Sequence, residues 1–144
     1  MAFVLRHSML LIILGSLVLS TAMGLRHGFG LFMEPLSSEL GWGRGVFAFA
    51  LALQNLVWGL SQPFTGALAD RFGAARIIVV GGLLYALGLL FMSLSTSELG
   101  MTVSAGLLIG LGLSGTTFSV ILGAVGRAVA PEKRSMAMGI VSAA

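Results

Sequence analysis

Four long apolar stretches, each closed by a short polar link, make up nearly the whole chain. Residues 9–34, 45–69, 77–94 and 101–125 are dominated by Leu, Ile, Val, Ala, Gly, Phe and Met, and a further apolar stretch follows at 135–144. The first link, 35–43, carries Ser37, Ser38, Glu39 and Trp42, and the second, 70–76, carries Asp70, Arg71 and Arg76. A third covers 95–100, and a basic one, 127–134, holds Arg127, Lys133 and Arg134. About 20 apolar residues in a helix cross the ~30 Å hydrocarbon core of a bilayer. The pattern therefore predicts an all-α polytopic membrane protein, with four transmembrane helices at those four stretches and the start of a fifth at 135–144. A helix stopped there would strand its last carbonyls in hydrocarbon. Residues 1–144 thus read as the front part of a longer protein. Arg6, the apolar run behind it and Ser20-Thr21-Ala22 also fit a secretory signal peptide. The apolar character resumes beyond Arg26-His27, however, and three more membrane segments follow, which favours a full first span.

Composition sharpens this. Hydrophobic residues make up 57% of the chain and charged ones 9%, against roughly 25% charged in a soluble domain. So few charges cannot cover a soluble surface, which excludes the soluble classes. The small excess of arginine is scattered rather than clustered as a nucleic-acid patch would be. With no cysteine, disulfides and thiolate metal sites are excluded. No metal, cofactor, nucleophile–base pair or carboxylate pair is called for. Arg6, Arg71, Arg76, Arg127, Lys133 and Arg134 fall on one side of the predicted topology and only Arg44 on the other. The positive-inside rule then places the amino terminus and the Asp70 loop in the cytoplasm. The expected location is the plasma membrane, the inner one if the source is bacterial.

Polar groups inside the spans are the candidates for chemistry. Arg26 and His27 interrupt the first span, where a charge costs several kcal/mol unless solvated or paired. About five residues outward of the middle, roughly 8 Å, Arg26 either faces a cavity or snorkels to the headgroups. It shares a helix face with Ala22, Met23, Phe29, Gly30 and Met33. His27 points about 100° away and is able to take up a proton near neutral pH. Gln54 and Asn55 lie near the middle of span two, where amides contact substrate or, more often, bond neighbouring helices. Gln54 is carried forward as a binding candidate. Gly110-Leu-Gly-Leu-Ser-Gly115 matches a dinucleotide fingerprint, but that motif needs a strand before it and a βαβ unit around it. Inside a span, Gly106, Gly110 and Ser114 recur every four residues and let another helix approach closely. Pro63 is expected to bend span two, and the apolar third span to face lipid.

The stretch 66–73, from the end of span two into the second link, reads Gly66-Ala-Leu-Ala-Asp-Arg-Phe-Gly73. It resembles the G-x-x-x-D-R-x-G signature between the second and third helices of major facilitator superfamily transporters. That resemblance covers the whole chain but about a third of such a transporter, which has twelve spans in two similar halves. The segment 27–32 also resembles, loosely, the first span of monocarboxylate and oxalate:formate carriers. The resemblance implies secondary transport of a small organic solute by alternating access. Arg26, always protonated, makes an organic anion the preferred substrate. The alternatives are a multidrug or neutral-solute facilitator and a small self-assembling four-helix membrane protein. In the family the first and fourth helices line the central path, which adds Thr117 to Arg26, His27 and Gln54 as binding candidates. The loop is implied to hold the inner side closed, making Gly66, Asp70, Arg71, Gly73, Arg76 and Arg127 its gating residues. Asp70 ends span two, where its own helix dipole gives it nothing, so it is expected to pair, with Arg127 as the interhelical choice. The implied partners are membrane lipid, the small-molecule substrate with a proton as candidate coupling ion, and the rest of the transporter chain. No nucleic acid is implied.

Overall fold

The computed structural model describes residues 2–143, with side chains from Arg6 onward. Among the described residues every element is helical, and four stretches are long and apolar enough to cross a membrane. Helix α1 covers Ala2–Leu40, α2 Arg44–Phe72 and α3 Ala74–Leu94. The fourth span, Glu98–Ala128, is assembled from pieces: α4 (Glu98–Met101), a π-helical turn (Thr102–Leu108), α5 (Ile109–Thr116) and α6 (Phe118–Ala128). Helix α7, Pro131–Ala143, opens on a proline followed by Glu132, residues suited to a first turn.

The fourth span sits at the centre. In its most apolar stretch 61% of residues are buried, against 17% in each of the other three spans, so the others pack around it. Its glycines face two ways. A side chain at Gly106 would meet Leu53, and one at Gly110 would meet Val57 and the Gln54 carbonyl, so this pair receives α2. Gly112 and Gly115 instead lie against Tyr85 and Gly81 of α3. Thr65 adds a bond from α2 to the Ser114 carbonyl at 3.1 Å. Helix α3 buries Gly81, Tyr85 and Gly88 on one narrow face and leaves Val79, Val80, Leu83, Leu87 and Leu90 exposed, an outward apolar surface suited to lipid.

Three expectations change. The link 70–76 shrinks to Gly73, between α2 and α3. The link 35–43 shrinks to 41–43, because α1 stays helical through Pro35 to Leu40. The missing proline N–H costs one helix bond, at a level beside the exposed Glu34 and Glu39 where water can take the freed carbonyl. Ser38 Oγ donates to the Pro35 carbonyl at 2.8 Å, and Gly41, at φ +66°, turns the chain out of the helix. The stretch 101–125, expected as one regular helix, is broken at Thr117, whose backbone is extended at φ −123° and ψ −156°. Hydroxyls make the break tolerable. Thr116 Oγ1 donates to the Gly112 carbonyl at 3.0 Å and Thr117 Oγ1 to the Leu113 carbonyl at 2.6 Å. The break frees carbonyls further along, and one of them, that of Ser114, accepts from Thr65 Oγ1 of α2. Pro63 lies within an α2 that is helical throughout.

Candidate functional site

The site is built where α1, α2 and the break in the fourth span meet. Arg26 reaches from α1 to α2. One Nη2 N–H donates to Asn55 Oδ1, and its guanidinium carbon lies 4.8 Å from the centre of the Trp58 ring. Asn55 and Trp58 are three residues apart on one face of α2, which is why one guanidinium meets both. Trp58 Nε1 in turn donates to Thr117 Oγ1 at 2.9 Å. Thr117 is fully buried, and its hydroxyl donates in turn to the Leu113 carbonyl. Below Arg26, Tyr85 of α3 donates its hydroxyl to the Ala22 carbonyl of α1 at 3.2 Å.

Both partners of Arg26 are neutral. An amide and an aromatic face hold the guanidinium in place without neutralising it. Its Nε–H is buried and lacks an acceptor. A buried charged donor left unbonded is costly, and here it lies beside the Nη2 that Asn55 occupies. The Nε and Nη2 edge of a guanidinium matches the two oxygens of a carboxylate.

The sequence candidates divide. Arg26 and Thr117 come together through Trp58. Gln54 does not join them: it is fully buried in the seam with the fourth span, donating Nε2 to the Ala105 carbonyl of the π turn at 2.8 Å. Its neighbour Asn55 is the amide that faces Arg26. His27 is exposed on another face of α1, with Nδ1 2.7 Å from the Met23 carbonyl. A carbonyl only accepts, so Nδ1 is the donor in this contact. Trp58 escaped the sequence reading because a tryptophan in a span reads as packing. The available signal was its spacing of three from Asn55.

At one end of the bundle, Arg127 Nη1 pairs with Asp70 Oδ1 at 2.6 Å, closing α6 onto the end of α2. Gly73 alone joins α2 to α3. It sits at φ +96°, a region that suits glycine, and its N–H bonds the Ala69 carbonyl at 2.9 Å. Arg71 lies 5.4 Å from the ring of its neighbour Phe72, and Arg76 is exposed. Gly66 faces open space. Asp70, Arg127, Gly73 and Ala124 line a cavity of about 580 Å³ at this end.

Comparison with known proteins agrees with this architecture. The Major Facilitator Superfamily profile matches residues 9–144. The chain belongs to the major facilitator superfamily. That is a family of transporters and not of enzymes. Among this facilitator chain's relatives is the multidrug resistance protein MdtH of Photorhabdus laumondii, 50% identical over 58 residues, covering 40% of this chain and 14% of that protein. Monocarboxylate transporter 11 of Mus musculus is 32% identical over 117 residues, covering 81% of this chain and 26% of that protein. The uncharacterized MFS-type transporter YhjX of Escherichia coli is 31% identical over 101 residues, 70% of this chain and 25% of that protein. The chain spans about a quarter or less of the length of these relatives. It is a multi-pass membrane chain of a transporter family.

Proposed function

We propose that the transporter carrying this chain moves a small organic anion by alternating access, and that Arg26 receives the anion's carboxylate. The observation that carries this reading is a membrane-embedded arginine whose partners are both neutral and whose Nε–H is buried without an acceptor. A carboxylate entering from the open side displaces Asn55 from Nη2, takes Nε–H with its second oxygen, and leaves Trp58 over the guanidinium face. Asn55 then becomes free to bond the substrate. Of the sequence candidates, Thr117 acts through Trp58 and Gln54 holds the helix seam. His27 stands apart from this set on another face of α1, and a proton is the candidate coupling ion. Monocarboxylate transporters among the relatives support the anion reading.

A second reading rests on a specific observation. A cavity of about 350 Å³ between α1 and α3, lined by Leu17, Val18, Leu25, Tyr85 and Leu89 among others, is almost wholly apolar. Together with relatives named for multidrug resistance, it fits a lipophilic drug. We place the protein in the plasma membrane with its amino terminus in the cytoplasm.

Arg26→Lys separates the readings. Lysine keeps the charge but not the fork, and a hydrogen bond to a charged group contributes about 1.5–3 kcal/mol. In the full-length protein in vesicles, the KM for labelled lactate or benzoate should rise by roughly tenfold or more at equal expression. An unchanged KM, or uptake of a lipophilic cation in preference to both anions, would overturn the anion reading.

A further inference from the structure

The Arg26 site lies near the middle of the spans and the Asp70–Arg127 pair at one end of them, and one continuous set of contacts runs between the two. Arg26 lies over Trp58, Trp58 bonds Thr117, and Thr117 is the one extended residue between α5 and α6. Helix α6 ends in the arginine that pairs with Asp70. We infer that Trp58 is a positioning residue that ties occupancy of Arg26 to the angle of α6, through the break at Thr117. The link to occupancy rests on the anion reading above; the link from Trp58 to α6 does not.

The physical argument begins at the break. A regular helix resists bending because each turn is bonded to the next. At Thr117 that ladder is interrupted, and the Ser114 carbonyl accepts instead from the Thr65 hydroxyl of α2. A hydroxyl bond survives a change of angle that a backbone ladder would not. Helix α6 packs Ile121 and Val125 against α1 and α7, and at the break itself the indole of Trp58 donates to the buried Thr117 hydroxyl. A guanidinium drawn toward an anion slides across the ring that it covers. The ring follows or loses that contact, and the indole bond to Thr117 strains. Helix α6 has 11 residues, and a turn of about 10° at its start displaces its far end by about 3 Å over a lever of roughly 15 Å. That is as large as the 2.6 Å separation in the Asp70–Arg127 pair. The same pivot thus converts a shift at the site into opening or closing at that end.

The test needs no substrate. The chain has no cysteine, so a single cysteine at Ala124, on α6 beside the cavity of Asp70 and Arg127, reports the position of that helix. Cysteines elsewhere in the full-length protein are replaced, and labelling by an impermeant maleimide is followed in inside-out vesicles. Trp58→Phe keeps a ring over Arg26 but removes the donor; Thr117→Val keeps the shape but removes the acceptor. Each should change the labelling rate at position 124 by about fivefold or more, and the double variant no further than either single one. A cysteine at Ala50, 2% exposed in the packing of α2 against the π turn, should label as slowly as before. Thr117→Ser, which restores the hydroxyl, should behave as wild type. An unchanged rate at 124, additive effects, or an equal rise at position 50 would overturn the proposal. Should Trp58→Phe fail to insert, the contrast of Thr117→Val with Thr117→Ser decides alone. Because lactate and benzoate play no part, loss of the anion reading leaves this result standing.

Discussion

A methyl group at position 112 has nowhere to go. It would lie 2.6 Å from the Tyr85 backbone nitrogen and 2.8 Å from the Gly81 carbonyl, and a facing backbone cannot rotate aside as a side chain can. At Gly110 the nearest atoms are the Gln54 carbonyl and the Val57 Cβ at 3.0 Å, and a small tilt of α2 relieves both. Overpacking a core costs about 1–3 kcal/mol, partly offset by alanine's helix preference of about 1 kcal/mol over glycine. Gly112→Ala is therefore expected to lower the thermal unfolding midpoint of the full-length protein in detergent by several degrees, and Gly110→Ala by less. Equal midpoints would show that α3 is free to move away. The four-residue recurrence of Gly106, Gly110 and Ser114 was legible as a packing face, and it meets α2. The second face, through Gly112 and Gly115, was not. Both lie within the dinucleotide-like run, and its two-and-three spacing straddles the helix, so a single periodicity does not separate them. Asn55 and Gln54 show the same limit. Adjacent amides point about 100° apart, and composition alone does not say which one faces the arginine.

Helix ends carry the next level of control. Asp70 closes α2 at the negative end of its dipole, and Arg127 closes α6 at the same end of the bundle. Their side chains are 64% and 54% exposed, and an exposed pair of this kind contributes at most about 1 kcal/mol. Its value lies in joining the end of α2 to the end of α6, on the far side of the break at Thr117. Asp70→Asn should therefore leave the unfolding midpoint near wild type while slowing transport. The measurement is uptake rate at equal surface expression beside a thermal melt, and normal uptake with a normal melt would reduce Asp70 to a solvated loop carboxylate. The pair with Arg127 is the one that the sequence led us to expect; Arg71 lies against Phe72 and Arg76 is exposed. The break itself was hidden. Ser114, Thr116 and Thr117 bond backward to carbonyls in straight helices too, and only Trp58, brought in by α2, marks where the ladder opens.

Over the whole molecule, charge and connectivity agree on one polarity. Ser8 near the start of α1 donates to the Ala128 carbonyl at 2.9 Å, and Arg127 binds Asp70. The ends carrying Arg6, Arg71, Arg76, Arg127, Lys133 and Arg134 are thereby gathered at one pole, as the count of basic residues predicted. Arg44, Glu39 and Glu98 belong to the opposite pole, with Trp42 tilted against Phe47 at a ring separation of 6.2 Å. Basic residues in short links are held on the cytoplasmic side during insertion, so the pole of Asp70 is expected to face inward. Cysteines placed singly at Ser38, exposed on the last turn of α1, and at Ala74, beside the α2–α3 joint, report the two poles. An impermeant maleimide added to intact cells should label position 38 and spare position 74, and inside-out vesicles should reverse the pattern. Labelling of position 74 alone in intact cells would invert the molecule. The cavity of Asp70 and Arg127 would then open outward, and the arginine site would load from the cytoplasm.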